Sequence, residues 1–186
     1  MKSLPGRVSP WVMMGVAAVL TMGSVSCASR VSYRELAQEY YNLGNAFFEL
    51  GEYERSFEYY SRAVDLDEDL PATSYNLARL YTQRGEYAAA LEVLRELLQS
   101  DPDNGLFRET RAFVLYRAGR PKDAREEYLA LIIDYPARVR LRYNLALLEL
   151  REERPEIALQ ILEEGIELAE EDEQYHWLFA EAAYLS

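Results

Sequence analysis

Small residues recur every 34 positions along this chain. The first series is Gly44, Ala78, Ala112, Ala146 and Ala180. A second series, in register with the first, is Ser56, Ala90, Ala124 and Ala158. A small side chain is required where two helices cross closely, so this fixed spacing predicts one helical unit that is repeated and stacked on itself. In such a protein, function is expected on an extended surface rather than in a catalytic pocket.

Turn residues divide each copy into two helices. Apolar residues recur at helical spacing between the turns, and nothing in the sequence suggests strands. Pro121 and Pro155 stand where a second helix would begin, a position that needs no backbone N–H donor. A glycine is expected at the end of a first helix, where a left-handed backbone favours a residue without a Cβ. The glycines at this place are Gly51, Gly85 and Gly119.

The copies span residues 37–70, 71–104, 105–138 and 139–172, followed by half a copy at 173–186. They resemble the tetratricopeptide repeat in an Asn-Leu-Gly/Ala run at Asn42 and Asn76, and in a turn glycine followed two residues later by tyrosine. They also share the Asp-Pro pair that begins at Asp101. The resemblance implies an all-α fold, a right-handed α-solenoid of about four helix hairpins. The half copy at 173–186 is expected to be a capping helix that covers the last apolar face.

Copies three and four depart from the repeat at two apolar positions. Arg111 replaces the leucine found at Leu43, Leu77 and Leu145. Glu149 replaces the large apolar residue found at Phe47, Tyr81 and Leu115. These two copies are therefore expected to be looser versions of the repeat.

Residues 1–26 are predicted to be a signal peptide. Lys2 and Arg7 precede an apolar run at 11–25, and small residues follow the run. The run is shorter than the ~20 apolar residues of a transmembrane helix, and its layout is that of a secretory signal. Cys27 stands where the run ends and is the only cysteine, so no intramolecular disulfide can form.

The position of Cys27 resembles the lipobox of bacterial lipoproteins, in which this cysteine receives a diacylglycerol and becomes the new N-terminus. Ser24 stands where the lipobox usually has leucine. The resemblance implies that 27–36 contains the lipidated N-terminus, a short tether and the start of the first helix. It also implies a location in the cell envelope, anchored to the inner or outer membrane and facing the periplasm. An ordinary cleaved signal peptide and an uncleaved anchor are the alternatives.

The chain is strongly acidic, with 32 Asp and Glu against 20 Lys and Arg and a net charge of −12. Because phosphates require a basic surface, this balance argues against nucleic acid as a partner. It also argues against binding of anionic lipid head groups by the body of the protein. Contact with a membrane is therefore expected through the N-terminal lipid.

The inner wall of a tetratricopeptide stack is lined by the first helix of each hairpin, so the resemblance implies a protein-binding groove there. Tyrosine and arginine are frequent in binding hot spots, and the groove-facing positions contain both. The predicted groove residues are Tyr41, Asn45, Phe48, Tyr75, Arg79, Phe113, Tyr116, Arg117, Tyr143, Leu147 and Arg151. Arg79 and Arg117 are expected close enough to share one carboxylate. The alternative is that the tyrosines pack between neighbouring helices as ordinary repeat residues.

One known mode of recognition in this family is not expected. The carboxylate clamp of chaperone-binding members needs a lysine one helical turn before an asparagine. Asn45 is present, but Tyr41 stands where the lysine should be. Leu106 and Thr110 occupy the places of the further basic residues of the clamp. A chaperone C-terminal peptide is therefore not expected as a partner.

Nothing in the sequence points to an enzyme, a cofactor or a metal site. There is no glycine-rich phosphate loop, metal-ligand cluster or nucleophile elbow. The single histidine, His176, is interpreted as a partly buried residue of the capping helix. Glu163 and Glu164 are expected on the surface of a second helix, without a second group of matched chemistry.

The resulting prediction is a membrane-anchored lipoprotein that acts as a protein–protein interaction adaptor or assembly factor in the bacterial cell envelope. Its partner would be an envelope protein or a peptide segment of one. The alternative function, also drawn from the resemblance, is a transport-associated tetratricopeptide lipoprotein that pairs with a solute-binding protein.

Overall fold

The computed structural model describes residues 32–186, which contain nine α-helices and one short 3₁₀ helix and no strand. The signal peptide predicted at 1–26 and the lipidation predicted at Cys27 lie outside the described residues. Consecutive helices pair as hairpins, and each hairpin packs against the next. The prediction of an all-α repeat solenoid is confirmed.

The hairpins are built from helices of similar length. The first two hairpins are α1 (Tyr33–Glu49) with α2 (Tyr53–Leu66), and α3 (Pro71–Gln83) with α4 (Tyr87–Ser100). The next two are α5 (Gly105–Arg117) with α6 (Pro121–Asp134), and α7 (Val139–Arg151) with α8 (Pro155–Glu163). The 3₁₀ helix (Ile166–Ala169) and the final helix α9 (Glu173–Leu185) complete the chain. First helices also contact one another, α3 with α5 and α7 with α9, so they share one side of the solenoid.

The turn within each hairpin has a left-handed residue. Gly51, Gly85 and Gly119 have φ values of 73°, 77° and 75°, as the sequence predicts. The fourth hairpin has no glycine here, and Glu153 adopts a φ of 58° instead. Pro155 begins α8, the second helix of this hairpin, where its missing N–H is not needed.

The small residues lie where helices cross. All four members of the second series, and Gly44 to Ala146 of the first, are buried. A Cβ on Gly44 would overlap the ring of Tyr60, which explains why this copy has glycine where the later copies have alanine. Ala180 is exposed, because no helix follows α9 to cover it.

The last hairpin ends earlier than its predecessors. Helices α2, α4 and α6 each have 14 residues, whereas α8 has 9. Gly165 follows α8, and its missing side chain leaves room for the Tyr175 hydroxyl, which donates to the carbonyl oxygen of Leu162 at 3.0 Å. Glu164 therefore lies just beyond the helix, so the prediction that it belongs to a second helix is wrong.

The two charged departures from the repeat are both paired. Arg111 on α5 donates to Glu127 on α6. Glu149 is 1% exposed and accepts from Arg125 at 2.5 Å and from Arg154 at 3.1 Å. A buried carboxylate is tolerated only when such partners compensate its charge.

The outer face of α1 is the uncovered end of the described solenoid. Leu43 is 41% exposed, whereas the equivalent Leu77 and Leu145 are 7% and 1% exposed. Leu77 and Leu145 differ from Leu43 in having a preceding hairpin to pack against. On this end face, Arg55 lies over the Phe47 ring at 3.7 Å from its centroid and partly covers it. Within residues 32–186, no helix combines the length and hydropathy that crossing a bilayer would require.

Candidate interaction site on the concave face

A concave cavity of about 380 Å³ lies between the first helices of all four hairpins. Helix α1 supplies one residue, α3 and α5 supply most of the wall, and α7 closes the far side. The lining residues are Phe48, Tyr53, Tyr75, Arg79, Thr82, Gln83, Leu106, Glu109, Thr110, Phe113, Arg117, Arg140 and Asn144. The cavity lies on the inner side that the repeat pattern assigns to first helices.

Five of the predicted groove residues line this cavity together. They are Phe48, Tyr75, Arg79, Phe113 and Arg117. They come from α1, α3 and α5, so the spacing of 34 residues brings equivalent faces of neighbouring helices together. Arg79 and Arg117 are among them, as the prediction of a shared carboxylate site requires.

The other predicted groove residues of the first hairpin are engaged in packing. Tyr41 contacts the ring of Tyr60 at a centroid distance of 6.0 Å. Asn45 accepts hydrogen bonds from the Tyr60 hydroxyl at 2.6 Å and from Asn76 Nδ2 at 3.2 Å. These contacts join α1, α2 and α3, so both residues serve the interface between the first two hairpins.

Four predicted groove residues from later hairpins lie outside the cavity. Tyr116 packs against the core cluster that contains Leu115. Tyr143 and Leu147 pack against the core cluster that α9 completes. Arg151 is exposed at the end of α7 and does not line the cavity. Helical spacing indicates which way these side chains point, but it does not show that a following helix covers them.

Some lining residues were not among the predicted groove residues. Glu109 occupies the position that is tyrosine at Tyr75 in the preceding copy and Tyr143 in the next. Pairs one repeat plus one residue apart join neighbouring first helices here: Tyr75 Oη lies 3.1 Å from Thr110 Oγ1, and Asn144 Nδ2 donates to Glu109 Oε1 at 3.2 Å. This spacing of 35 residues is the signal from which Thr110 and Asn144 could have been found.

The two arginines of the cavity wall are held by aromatic rings. The guanidinium of Arg79 lies over Phe48 at 4.7 Å from the ring centroid. The guanidinium of Arg117 lies 5.7 Å from the Phe113 centroid and donates to the Tyr87 hydroxyl at 3.3 Å. Among residues 32–186, neither arginine forms an ion pair. Both therefore present positive charge to the cavity without a carboxylate to compensate it.

Glu109, the acidic residue of the cavity wall, is compensated from α7. Its side chain is 9% exposed, and Arg140 Nε lies 2.9 Å from its Oε1 atom. Asn144 donates to the same oxygen at 3.2 Å. The hydrogen bond from Arg140 to Glu109 raises the pKa of Arg140, so this ion pair persists at any ordinary pH. The cavity thus contains one neutralised pair and two unpaired arginines.

No feature of the described residues suggests a metal site. Within residues 32–186, no group of three or more His, Cys, Asp and Glu side chains could hold an ion. His176 is exposed, and its Nε2 atom lies 3.2 Å from the carbonyl oxygen of Glu170. The interpretation of His176 as partly buried is therefore wrong, because its side of α9 faces solvent.

Several solved structures share this fold. Pseudomonas aeruginosa PilF is 24% identical, with a TM-score of 0.68 over 82% of this chain and 69% of that chain. MamA from Desulfovibrio magneticus RS-1 is 20% identical, with a TM-score of 0.67 over 83% of this chain and 93% of that one. YrrB is 18% identical, with a TM-score of 0.57 over 79% and 84% of the two chains, and it is described as a tetratricopeptide repeat protein with an unusual peptide-binding site.

Comparison with curated proteins finds no match. The family model for the tetratricopeptide repeat matches residues 47–112 and 81–140, which together make up about half of the chain. This fold is that of a protein–protein interaction scaffold, and proteins of the family are generally not catalytic. On the family match, the repeat pattern and the solenoid together, this chain belongs to the tetratricopeptide repeat family.

Proposed function

We propose that this protein is a membrane-anchored adaptor of the bacterial cell envelope that holds a segment of another protein on its concave face. The observation that carries the proposal is the cavity between the first helices, which combines exposed aromatic surface with two unpaired arginines. Aromatic residues and arginine contribute most of the binding free energy in typical protein interfaces.

The size and composition of the cavity support a peptide segment as the ligand. A volume of about 380 Å³ accommodates a few side chains rather than a folded domain. Phe113 and Leu106 are 42% and 43% exposed and offer apolar area that nothing in residues 32–186 covers. The similar protein YrrB is described as having a peptide-binding site, which is a precedent for this use of the fold.

The anchoring part of the proposal rests on the N-terminal sequence. Cys27 directly follows the predicted signal peptide, and α1 begins at Tyr33. Five residues separate the two, which at roughly 3.5 Å per extended residue gives a tether of less than about 20 Å. A solenoid attached in this way would work close to the membrane surface, where a protein of the envelope is the natural partner.

A capture experiment tests the adaptor function. The full-length protein, purified in detergent and immobilised, is incubated with envelope extract from its source, and retained proteins are quantified by mass spectrometry. Replacement of Phe113 and Arg117 by alanine should remove at least one protein that the wild type retains, because both side chains line the cavity. A matched pair on α6, Leu129→Ala with Lys122→Ala, should leave the retained set unchanged because these exposed residues lie outside the cavity.

The two outcomes of this experiment separate the faces of the solenoid. Equal melting midpoints for both double variants would show that the fold is intact. Loss of the captured protein with the α6 pair, and not with the cavity pair, would place binding on the outer face and contradict the proposal. Anchoring is tested separately by cell fractionation, in which Cys27→Ala should move the protein out of the membrane fraction or block its maturation.

A further inference from the structure

We infer that the segment held in the cavity binds through a carboxylate group that Arg79 and Arg117 share. This inference rests on the proposed function and narrows its ligand to one chemical class. That class is an extended protein segment in which a carboxylate lies next to a large apolar side chain. The carboxylate could belong to an Asp or Glu side chain or to the C-terminus of the partner.

The positions of the two arginines are fixed by their aromatic neighbours. Arg79 stacks on Phe48, and Arg117 lies between the rings of Phe113 and Tyr87, which are 5.7 Å and 5.8 Å from its guanidinium. Stacking uses the face of the guanidinium and leaves the N–H groups at its edge available. Arginine has five such donors, and the bonds formed here, to Asn76 and to the Tyr87 hydroxyl, go to neutral acceptors. A carboxylate is the acceptor that matches the remaining donors best.

The charge balance of the cavity favours an acidic ligand. Arg140 is already paired with Glu109, so the uncompensated charge is that of Arg79 and Arg117. The chain as a whole carries a net charge of −12, and this cavity is a local exception on its surface. A basic ligand would meet two unpaired arginines, whereas a carboxylate would form charge-assisted hydrogen bonds with them.

The cavity wall also explains the apolar part of the ligand. Tyr75 and Leu106 lie beside the arginines, together with Phe48 and Phe113. Tyr75 is half-buried because its ring packs at 5.6 Å from that of Phe107, which makes it a rigid surface. An aliphatic or aromatic side chain adjacent to the carboxylate would bury this surface and gain hydrophobic stabilisation.

This site differs from the carboxylate clamp whose absence the sequence predicts. The clamp positions contain Tyr41, Leu106 and Thr110, none of which is basic. Thr110 donates to the carbonyl oxygen of Leu106 and contacts Tyr75, so it supports the wall instead of binding charge. The inferred site uses a different pair of positions, one on α3 and one on α5.

The inference is tested on an array of synthetic heptapeptides of random sequence, half with free C-termini and half amidated. Full-length protein in detergent is applied at low and high salt. We expect the retained peptides to be enriched in acidic groups next to large apolar residues, with weaker retention at high salt. Enrichment of Asp and Glu in both halves identifies a side-chain carboxylate, and enrichment confined to free C-termini identifies a terminal one.

The variants Arg79→Gln and Arg117→Gln, combined, should lower the retention of acidic peptides by about tenfold, the effect of losing a charge-assisted hydrogen bond. Arg79→Lys with Arg117→Lys should restore part of it, which a purely structural role would not produce. The control pair is Arg62→Gln with Arg95→Gln, since these exposed arginines pair with glutamates of their own helices and should not affect retention.

Two negative results have different meanings. Peptides retained by the wild type without acidic enrichment, or acidic enrichment that persists in the Arg79→Gln, Arg117→Gln variant, would overturn this inference and leave the peptide-binding function standing. A wild-type protein that retains no peptide above background would overturn the proposed function and the inference together.

Discussion

Glu153 has a backbone conformation that suits glycine. It lies 34 residues after Gly119 in the repeat and has a φ of 58°. The hydrogen bond that closes this turn, from Arg154 N to the carbonyl oxygen of Glu149 at 2.9 Å, is equivalent to the one from Arg120 N to Leu115. The hairpin geometry thus imposes a left-handed residue whether or not the sequence provides glycine, at a cost of roughly 1–2 kcal/mol for a side chain with a Cβ.

Glu153→Gly should therefore stabilise the protein. We expect the free energy of unfolding to rise by about 0.5–1 kcal/mol, because relief of the left-handed strain exceeds the added flexibility of the unfolded chain. Urea unfolding followed by circular dichroism measures the change. Glu153→Ala is the control, since it removes the same charge but retains the Cβ. A glycine variant no more stable than the alanine variant would contradict the prediction.

The residue scale also shows where sequence reasoning succeeds and where it stops. The three glycine turns could be predicted because the residue type reports its own backbone conformation. Glu153 could not, since nothing about glutamate indicates a left-handed residue and only the repeat position does. The same limit applies to Tyr116, whose helical face is readable from the sequence but whose burial depends on packing against a neighbouring helix.

At the scale of helices, one contact recurs between each second helix and the next first helix, at a spacing of 24 residues. In the first instance the rings of Phe57 and Tyr81 meet at 5.2 Å. In the second, Leu91 packs against the core cluster that includes Leu115. In the third, Arg125 on α6 binds Glu149 on α7. An ion pair has therefore replaced an apolar pair at one joint of the solenoid.

Removing one partner of this pair should cost far more than replacing both. Glu149→Leu leaves Arg125 without its partner and should lower the free energy of unfolding by about 3 kcal/mol. The double variant Arg125→Leu, Glu149→Leu restores the apolar pairing seen at Leu91 and should come within about 1 kcal/mol of the wild type or exceed it. Urea unfolding of the four proteins forms a double-mutant cycle. Simple addition of the two single losses in the double variant would show that the pairing is not interchangeable.

The helices themselves could be predicted, because the spacing of apolar residues and the positions of glycine and proline determine them locally. The shortened α8 could not, since its end depends on the Tyr175 hydroxyl that enters the space beside Gly165 from a different helix. For the same reason, sequence reasoning identified only part of the cavity wall. It assigned residues to the inner face one helix at a time, whereas the cavity depends on pairs such as Glu109 and Asn144 that join two helices.

At the scale of the whole molecule, buried tyrosines make stability depend on alkaline pH. Tyr60, Tyr128 and Tyr175 are at most 2% exposed and lie on α2, α6 and α9. Burial raises the pKa of all three hydroxyls above the ordinary value of 10.0, and that of Tyr175 to about 12. In the pH range between the unfolded and folded pKa values, the unfolded chain has lost protons that the folded chain retains.

The free energy of unfolding should therefore be constant with respect to these groups below about pH 9 and fall as the pH rises from about 10 to 12. Thermal midpoints measured across this range, together with the ultraviolet absorbance of tyrosinate, follow the effect. Tyr175→Phe should lower stability at neutral pH, because its hydrogen bond to Leu162 is lost, and should reduce the alkaline slope. Tyr184→Phe, at an 89% exposed position, is the control. Equal slopes for the two variants would contradict the prediction.

The ion pair between Arg125 and Glu149 has a consequence for how this protein could change length. In an array of identical modules, one module can be excised and its neighbours will still fit. Excision of residues 105–138 here would join α4 to α7 and place Glu149 opposite Leu91, which has no charge to offer it. A carboxylate that is now 1% exposed would then be buried without Arg125, and the cavity wall would lose α5. The order and number of modules are thus written into the chemistry of their joints, so the array can be edited only where that chemistry is edited with it.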